Sequence, residues 1–577
     1  MTLFKLAIFC SLMILAFAPA AAQDQQPQAS ATGTISGRVV NESGQPLYEA
    51  TVSIRSYVST GTAREMSTDR DGKFQFSGLP SVVYLLSAGF PAYTIAPRDP
   101  DSTQTTSYRV GDNVTLIMIK GGVITGKVTT SAGEPVVGVR VRAQMIRDSF
   151  GQQSRYGAAM RELTTDDRGV YRIYGLPTGT YLVMAGAGGL VAYRNDSPTY
   201  APSATRDNAA EVSVQAGQET SNVDIRYRGD QGHSVTGVAT NGQGSETTPF
   251  VSITLTSTLD EGSQSSETTY QSSESQSFSF SGIADGDYDV TAQSYSNNGD
   301  RWISEPKRIK IRGADVTGVE LITKPLASIS GRVVIEDSTA PECKNKRRAL
   351  VTETLISAWH NEKEAAKDKP QFVWSLGGPA YPNQQGEIAL RNLAAGQYQI
   401  ISRLFAKYWY LRSITLPAST GSGTGNPQSS KQTDAVANWI NVRSGDRLSG
   451  LTVTLSEGAA SLQGQLKLNE GEALPGRLYV YLVPAEHEKE ADVLQFFAAP
   501  ITPDKKLAVN HIPPGRYLIV AQPALEGPMP AQTRLRLPDE RETRMRLLRD
   551  AEQTKIEIEF KPCQNVTDYE LALPPIH

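Results

Sequence analysis

The sequence has few of the residues from which metal and catalytic sites are built. Its 577 residues include three cysteines and five histidines, and these do not assemble into the three or four ligands that a protein zinc site needs. Helical periodicity is almost absent, and beyond the N-terminal segment no apolar run is long enough to span a bilayer. We therefore expect a non-catalytic chain with no metal, no cofactor and no transmembrane segment in its mature form.

An excess of charge of one sign is also lacking. The chain has 56 basic and 60 acidic side chains, for a net charge of −4. A nucleic-acid binder needs a basic surface to displace counterions from phosphates. The two basic stretches, 344–348 and 534–549, are short or interleaved with acids, which is typical of a solvated face. We expect no nucleic-acid partner.

The N-terminus has the pattern of a secretory signal. Lys5 precedes the apolar stretch 6–17, and the alanines at 20–22 fit a cleavage site. We expect residues 1–22 to be removed and residues 23–31 to form a flexible linker. The mature chain would then be a secreted bacterial protein, located in the periplasm or outside the cell in association with its surface.

Cleavage of that leader would remove Cys10 and leave two cysteines, Cys343 and Cys563. In an oxidising compartment an even pair of cysteines can form a disulfide. The alternative is two independent thiols, because the sequence does not place their Cα atoms within bonding reach. Both possibilities stay open at the level of the sequence.

One phrase recurs along the chain. Residues 69–84 read DRDGKFQFSGLPSVVY and residues 166–181 read DDRGVYRIYGLPTGTY, and weaker copies end at Tyr288, Tyr398 and Tyr517. A fixed phrase that returns at a regular period indicates a string of similar small domains. The Asp-rich start of the phrase is typical of a hairpin turn with glycine at positive φ, and the tyrosine predicts a core residue with a bonded hydroxyl.

A short alternating strand with a central glycine opens each unit. The glycines are Gly37, Gly126, Gly237, Gly331 and Gly464. Alternation of apolar and polar residues predicts a half-buried strand, and the glycine falls on its inward side, where a larger side chain would collide with a neighbour. Short strands and frequent turns predict an all-β chain of sandwiches.

The opening strand, the following Gly-x-Pro turn and the long phrase together resemble the carboxypeptidase regulatory-like domain. The resemblance implies about five tandem seven-stranded, transthyretin-like (Ig-like, carbohydrate-binding-like) β-sandwiches, and it leaves activity open. It is less complete in the third and fifth units, where Gln276 and Lys505 replace a glycine of the phrase. The predicted units are unit 1 (32–120), unit 2 (121–230), unit 3 (231–325), unit 4 (326–457, with a mobile loop at 419–434) and unit 5 (458–577). Short links predict units placed end to end.

Tryptophan is concentrated in unit 4, which has four of the five in the chain. Aromatic faces on a rigid sandwich can stack on sugar rings, which makes this unit a candidate carbohydrate reader. The candidate residues are Trp359, Trp374, Tyr408, Trp409 and Trp439. The alternative is that the longest unit uses these rings in its core.

We therefore predict a non-catalytic interaction or spacer array, adhesion-like, acting at or outside the cell envelope. Weak sites on tandem modules would gain strength through multivalency. The alternative function is a carbohydrate-binding protein with unit 4 as the reading module. The expected partner is an envelope or extracellular protein or a polysaccharide, and the sequence does not indicate an oligomeric state.

Overall fold

The computed structural model describes most of the chain from Thr32 onwards. The described residues are 32–56, 63–96, 107–149, 151, 160–189, 196–241, 250–258, 264–269, 275–295, 299–361, 378–417, 432–467, 478–489, 491–502, 504–525 and 531–572. The predicted leader, the predicted linker and most of the predicted 419–434 loop lie outside them.

Strands make up nearly all of the secondary structure, so the chain is all-β in class. Unit 1 contains β1 (Thr32–Asn41), β2 (Thr51–Ser56), β3 (Arg64–Ser67), β4 (Lys73–Pro80), β5 (Val83–Gly89), β6 (Tyr93–Ile95), β7 (Ser107–Arg109) and β8 (Asn113–Lys120). Unit 2 contains β9 (Gly122–Thr129), β10 (Val139–Asp148), β11 (Met160–Thr164), β12 (Val170–Leu176), β13 (Gly179–Gly189), β14 (Thr199–Tyr200), β15 (Val212–Val214), β16 (Glu219–Thr220) and β17 (Ile225–Arg226).

The remaining three units follow the same order. Unit 3 contains β18 (His233–Asn241), β19 (Phe250–Ser257), β20 (Gln264–Thr269), β21 (Ser275–Ile283), β22 (Gly286–Tyr295), β23 (Arg301–Ser304), β24 (Lys307–Ile311) and β25 (Val316–Pro325). Unit 4 contains β26 (Ala327–Glu336), β27 (Thr354–His360), β28 (Glu387–Leu393), β29 (Gly396–Leu404), β30 (Trp409–Pro417), β31 (Gln432–Asp434), β32 (Ile440–Val442) and β33 (Arg447–Glu457). Unit 5 contains β34 (Ala460–Lys467), β35 (Leu478–Pro484), β36 (Phe497–Pro500), β37 (Lys506–Ile512), β38 (Gly515–Pro523), two helices α1 (Ala531–Leu535) and α2 (Arg541–Thr554), β39 (Glu557–Phe560) and β40 (Asn565–Ala572).

Within the described residues, one pairing scheme recurs in each of the five predicted units. The opening strand pairs antiparallel with the strand of the repeated phrase and parallel with a closing strand, as in β1 with β4 and β8, or β26 with β28 and β33. A second layer is built around the pairs β2–β5, β10–β13, β19–β22, β27–β29 and β35–β38. In unit 3 the two layers are continuous, because β23 pairs with both β22 and β25. The apolar faces of the layers enclose the core of each unit.

The opening-strand glycines lie where the closing strand passes closest. A Cβ atom on any of the five would overlap a backbone carbonyl oxygen of the closing segment, namely the oxygen of Val114, Val223, Val319, Leu451 or Tyr569. In unit 1 the same Cβ would also lie 2.7 Å from Cζ of Phe74. The predicted collision is confirmed, and it explains why the position excludes a side chain in every unit.

The phrase tyrosine closes the same corner in each unit. Its hydroxyl donates to the carbonyl oxygen four residues earlier, at 2.8–3.1 Å, in Tyr84, Tyr181, Tyr288, Tyr398 and Tyr517. Burial raises the pKa of Tyr84 to about 12. The prediction of a core tyrosine with a bonded hydroxyl is confirmed.

The Asp-rich turns use their carboxylates locally. One oxygen of Asp69 accepts the backbone N–H groups of Asp71 and Lys73, at 2.9 and 2.8 Å, and Gly72 has a φ of 71°. Asp166 repeats this arrangement in unit 2. These bonds are those of an Asx turn, so the hairpin interpretation of the phrase is confirmed.

Unit 5 departs from the sequence-based expectation by its helices. The stretch 534–549 is not simply a solvated face, because Arg544, Leu547 and Leu548 of α2 are buried. They pack, together with Ala551, on the outer side of the layer that contains β35 and β38. β35 is consequently buried along its whole length, as in a strand with both faces covered.

Candidate functional site

The candidate aromatic residues of unit 4 separate into three environments. Trp409 begins β30 and belongs to the apolar core, with 1% of its surface exposed. A ring in that position cannot stack on a sugar, so Trp409 is removed from the candidate platform. Alternation along β30 accounts for this result, because Trp409 and Leu411 face inward while Tyr410 does not. Trp374 lies outside the described residues.

Trp359 and Trp439 form a pair. Their ring centroids lie 6.1 Å apart and the ring planes are inclined by 31°. Trp359 lies on β27 and Trp439 immediately precedes β32, and both side chains are half-buried. β27 and β32 flank β29 in the same three-stranded sheet. Part of the aromatic surface of this pair is exposed on one layer of unit 4, and an accessible ring face is what stacking on a ligand ring requires.

Tyr408 lies at the joint between units 4 and 5. Its φ is 67°, and its carbonyl oxygen accepts the N–H groups of Gly458 and Ala459, at 2.8 and 2.9 Å. Its hydroxyl accepts a hydrogen bond from Nδ2 of Asn565 at 3.0 Å, and Nζ of Lys346 lies 5.1 Å from its ring centroid. Tyr408 therefore contributes hydrogen bonds to the joint between units 4 and 5, and its hydroxyl already has a partner in Asn565.

A disulfide crosses the same joint. Cys343 of unit 4 and Cys563 of unit 5 are bonded, with an S–S distance of 2.06 Å and a Cα–Cα distance of 5.3 Å. Both residues are buried. Cys343 lies in the segment between β26 and β27, residues 337–353, which we call the joint loop. The disulfide fixes the first half of this loop to the last unit of the chain.

Apolar packing joins units 4 and 5 as well. Val493 and Leu494, from a short turn of unit 5, belong to the same core cluster as the β-strands of unit 4. Nε2 of Gln399 in β29 donates to the carbonyl oxygen of Arg536 at 2.6 Å. The two units therefore form one continuous body instead of two modules joined by a linker.

His511 is a partly buried titratable group of this joint. Its Nδ1 lies 2.8 Å from the carbonyl oxygen of Trp409. Burial lowers the pKa of His511, and the positive charges of Arg536 and Arg109 lower it further, against the raising effect of its hydrogen bond to Trp409. The imidazole is thus neutral at pH 7.

Unit 1 reaches unit 4 through ion pairs. Nη1 of Arg109 lies 3.3 Å from Oε2 of Glu353, and Nη2 of Arg347 lies 2.6 Å from Oε1 of the same carboxylate. Oγ1 of Thr352 donates to the carbonyl oxygen of Ser81 at 2.7 Å. The expectation of units placed simply end to end is therefore wrong, because the chain folds back and brings the first unit against the fourth.

Metal and membrane features are scarce in what the structure describes. Among those residues, no group of three or more histidine, cysteine or acidic side chains is placed to hold a metal ion. None of the helices there has the length and apolarity needed to cross a bilayer. Shallow grooves do occur along the first layer of units 1 and 3, beside Gly37 and Gly237.

Comparison with known proteins identifies part of the chain. Residues 34–116 and 123–228 match the model of the carboxypeptidase regulatory-like domain. No curated protein matches the chain. Solved structures that are similar to it include GBS52, the minor pilin of Streptococcus agalactiae, at 14% identity and a TM-score of 0.19, covering 34% of this chain and 98% of the pilin. Two B repeat units of the collagen binding protein of Staphylococcus aureus match at 13% identity and a TM-score of 0.14, covering 74% of this chain and all of theirs.

Similarities at these TM-scores carry no argument about function. The match to the family model is different, because each matched segment contains the opening strand, the Asx turn and the bonded tyrosine described above. The chain therefore contains two tandem carboxypeptidase regulatory-like domains, at residues 34–116 and 123–228.

Proposed function

We propose that this protein is a secreted, non-catalytic array of β-sandwich units that binds partners at or outside the cell envelope. The observation that supports the proposal most directly is the buried disulfide between Cys343 and Cys563. Disulfides form and persist in oxidising compartments and are rare in the cytosol. Rigid units held in fixed relation can present several weak sites at once, and effective concentration then raises the overall affinity by about 10²–10⁴.

Fractionation of the source cells tests the location. The protein is recovered from cytoplasm, periplasm, surface and medium, and is mapped by peptide mass spectrometry without reduction. We expect the Cys343–Cys563 peptide pair outside the cytoplasm. Full-length protein found only in the cytoplasm with both thiols free would contradict the proposal.

A second candidate function is carbohydrate binding, and the pairing of Trp359 with Trp439 favours it. Retention of the full chain on a panel of insoluble and gel-embedded polysaccharides tests this candidate. We expect Trp439→Ala to abolish retention and Trp439→Phe to keep part of it, because a smaller ring still offers a stacking face. Tyr174→Ala is the matched control, since this exposed tyrosine lies in unit 2, far along the chain from the pair.

The outcomes separate the two functions. Loss of retention in Trp439→Ala but not in Tyr174→Ala assigns sugar reading to unit 4. Absence of retention on every glycan rejects the carbohydrate candidate and leaves protein partners of the envelope for the array.

A further inference from the structure

The contact between units 1 and 4 is held by a carboxylate with almost no access to water. The Glu353 side chain is 1% exposed and lies between Arg109 of unit 1 and Arg347 of its own loop. Arg109 is 13% exposed and Arg347 is 48% exposed. A buried carboxylate must be paired to be tolerated. Two arginines and the Thr352–Ser81 hydrogen bond satisfy this contact.

The contacts of unit 4 with unit 5 and with unit 1 differ in kind. The joint with unit 5 has a disulfide and a shared apolar cluster. The contact with unit 1 is polar, and within the described residues the apolar clusters of units 1 and 4 have no member in common. Small polar interfaces between domains permit relative motion, whereas large apolar ones do not. The disulfide makes the joint with unit 5 covalent, and the polar contact with unit 1 is the one that we expect to separate.

Separation of unit 1 from unit 4 would leave no buried charge without a partner. If unit 1 moves away, Arg347 still pairs with Glu353, and the carboxylate face that Arg109 covered becomes open to water. The joint loop stays in place, because the Cys343–Cys563 disulfide anchors it to unit 5 and the Lys346–Tyr408 contact holds it to the rest of unit 4. The Glu353 carboxylate on unit 4 therefore stays in position and can pair with Arg109 again. The two residues of the pair are 244 positions apart in the chain.

We propose that Arg109, Ser81, Arg347, Thr352 and Glu353 form a reversible clasp that closes units 1–4 into a ring. In the closed form unit 1 contacts the joint loop through Arg109 and Ser81. In the open form unit 1 is released, the array lengthens and the Glu353 carboxylate is exposed. This device is independent of which partner the array binds, and it would control how many of its faces are presented together.

Small-angle X-ray scattering of the full chain tests the clasp. We expect the wild-type distance distribution to match the closed form and Arg109→Ala to shift it to longer distances. Arg348→Ala is the matched control, because Arg348 lies in the same loop and pairs with Asp337 in an exposed ion pair. Circular dichroism checks that both variants keep their strands.

A second measurement guards against a change in folding of Arg109→Ala. The double variant Ser81→Cys, Thr352→Cys should form a new disulfide under mild oxidation, and adding Arg109→Ala should slow its formation. An extended wild-type scattering profile, or Arg109→Ala and wild-type profiles that coincide, would overturn the proposal. Crosslinking at the same rate with and without Arg109→Ala would overturn it as well.

Discussion

Replacement of Gly37 by alanine should loosen unit 1 while its neighbours stay intact. The new Cβ would overlap the carbonyl oxygen of Val114 and press on the Phe74 ring. The oxygen belongs to the backbone of β8, which is hydrogen-bonded to β1 along six register positions, so it cannot yield as a flexible side chain would. Overpacking of a filled site costs about 1–3 kcal/mol, and we expect the upper part of that range, about 2–3 kcal/mol.

Hydrogen–deuterium exchange of the full chain, followed by mass spectrometry, reports each unit separately. A loss of about 2–3 kcal/mol corresponds to roughly 30- to 150-fold faster exchange in peptides of β4 and β8, where opening of the unit controls exchange. Peptides of unit 2 should not change. The matched control is Gly89→Ala, since nothing lies within 4 Å of a Cβ at Gly89.

Alanine at Gly89 should leave exchange unchanged or slow it slightly, because glycine in a strand is less favourable than alanine by about 0.5–1 kcal/mol. Equal protection of β4 in Gly37→Ala and wild type would refute the reasoning. It would mean that the closing strand can shift away at little cost, so that the repeated glycine has another origin.

Three further changes test other parts of the fold. Because the pKa of His511 is lowered in the folded chain, the unfolded chain takes up the proton first, and the free energy of unfolding should fall by up to about 1.4 kcal/mol per pH unit as the pH drops below 6.5. The variant His511→Asn, in which asparagine tolerates the φ of 60°, should remove this slope in melting scans between about pH 7 and pH 5. An unchanged slope would contradict the assignment of the pH dependence to His511. Replacing Cys343 and Cys563 together by serine should lower the free energy of unfolding of the joined units by about 2–5 kcal/mol in calorimetry, while the transition of unit 2 stays in place. Tyr181→Phe removes the bond to Pro177 and should cost about 0.5–1.5 kcal/mol in unit 2, whereas Tyr174→Phe, at an exposed ring, should cost nothing measurable.

Local features of the fold could be predicted from the sequence because each depends on residues close together in the chain. The Asx turn at Asp69 needs only the next four residues, and the bond of Tyr181 reaches back four positions. The glycine of the opening strand depends on a contact with a distant strand, but its repetition in every unit makes it recognisable in the sequence. Repetition thus converts a tertiary constraint into a visible pattern.

Helix α2 of unit 5 is not part of the sequence-based expectation, although the sequence contains its signal. Arg544, Leu547, Leu548 and Ala551 follow helical spacing, and β35 is a continuous apolar run, LYVYLVP. Such a run indicates a strand covered on both faces. β35 therefore needs a cover on its outer face, and α2 provides it.

The candidate site was harder to predict, because its geometry depends on contacts between units. Tyr408 and Trp409 are adjacent in sequence, but one serves the joint and the other fills the core. Arg109 and Glu353 form an ion pair between two distant segments. Neither residue belongs to a sequence pattern that would predict this contact. The placement of unit 1 against unit 4 therefore emerges only from the folded chain.

The parallel pairing of the opening and closing strands has a mechanical consequence. Because β1 and β8 run in the same direction side by side, the chain enters unit 1 at one end of this pair and leaves it at the other. Tension applied along the chain therefore acts along the strands and loads their hydrogen bonds together, in shear, instead of opening them one after another. β26 with β33 and β34 with β40 repeat this arrangement, so each such unit resists extension in series with the next.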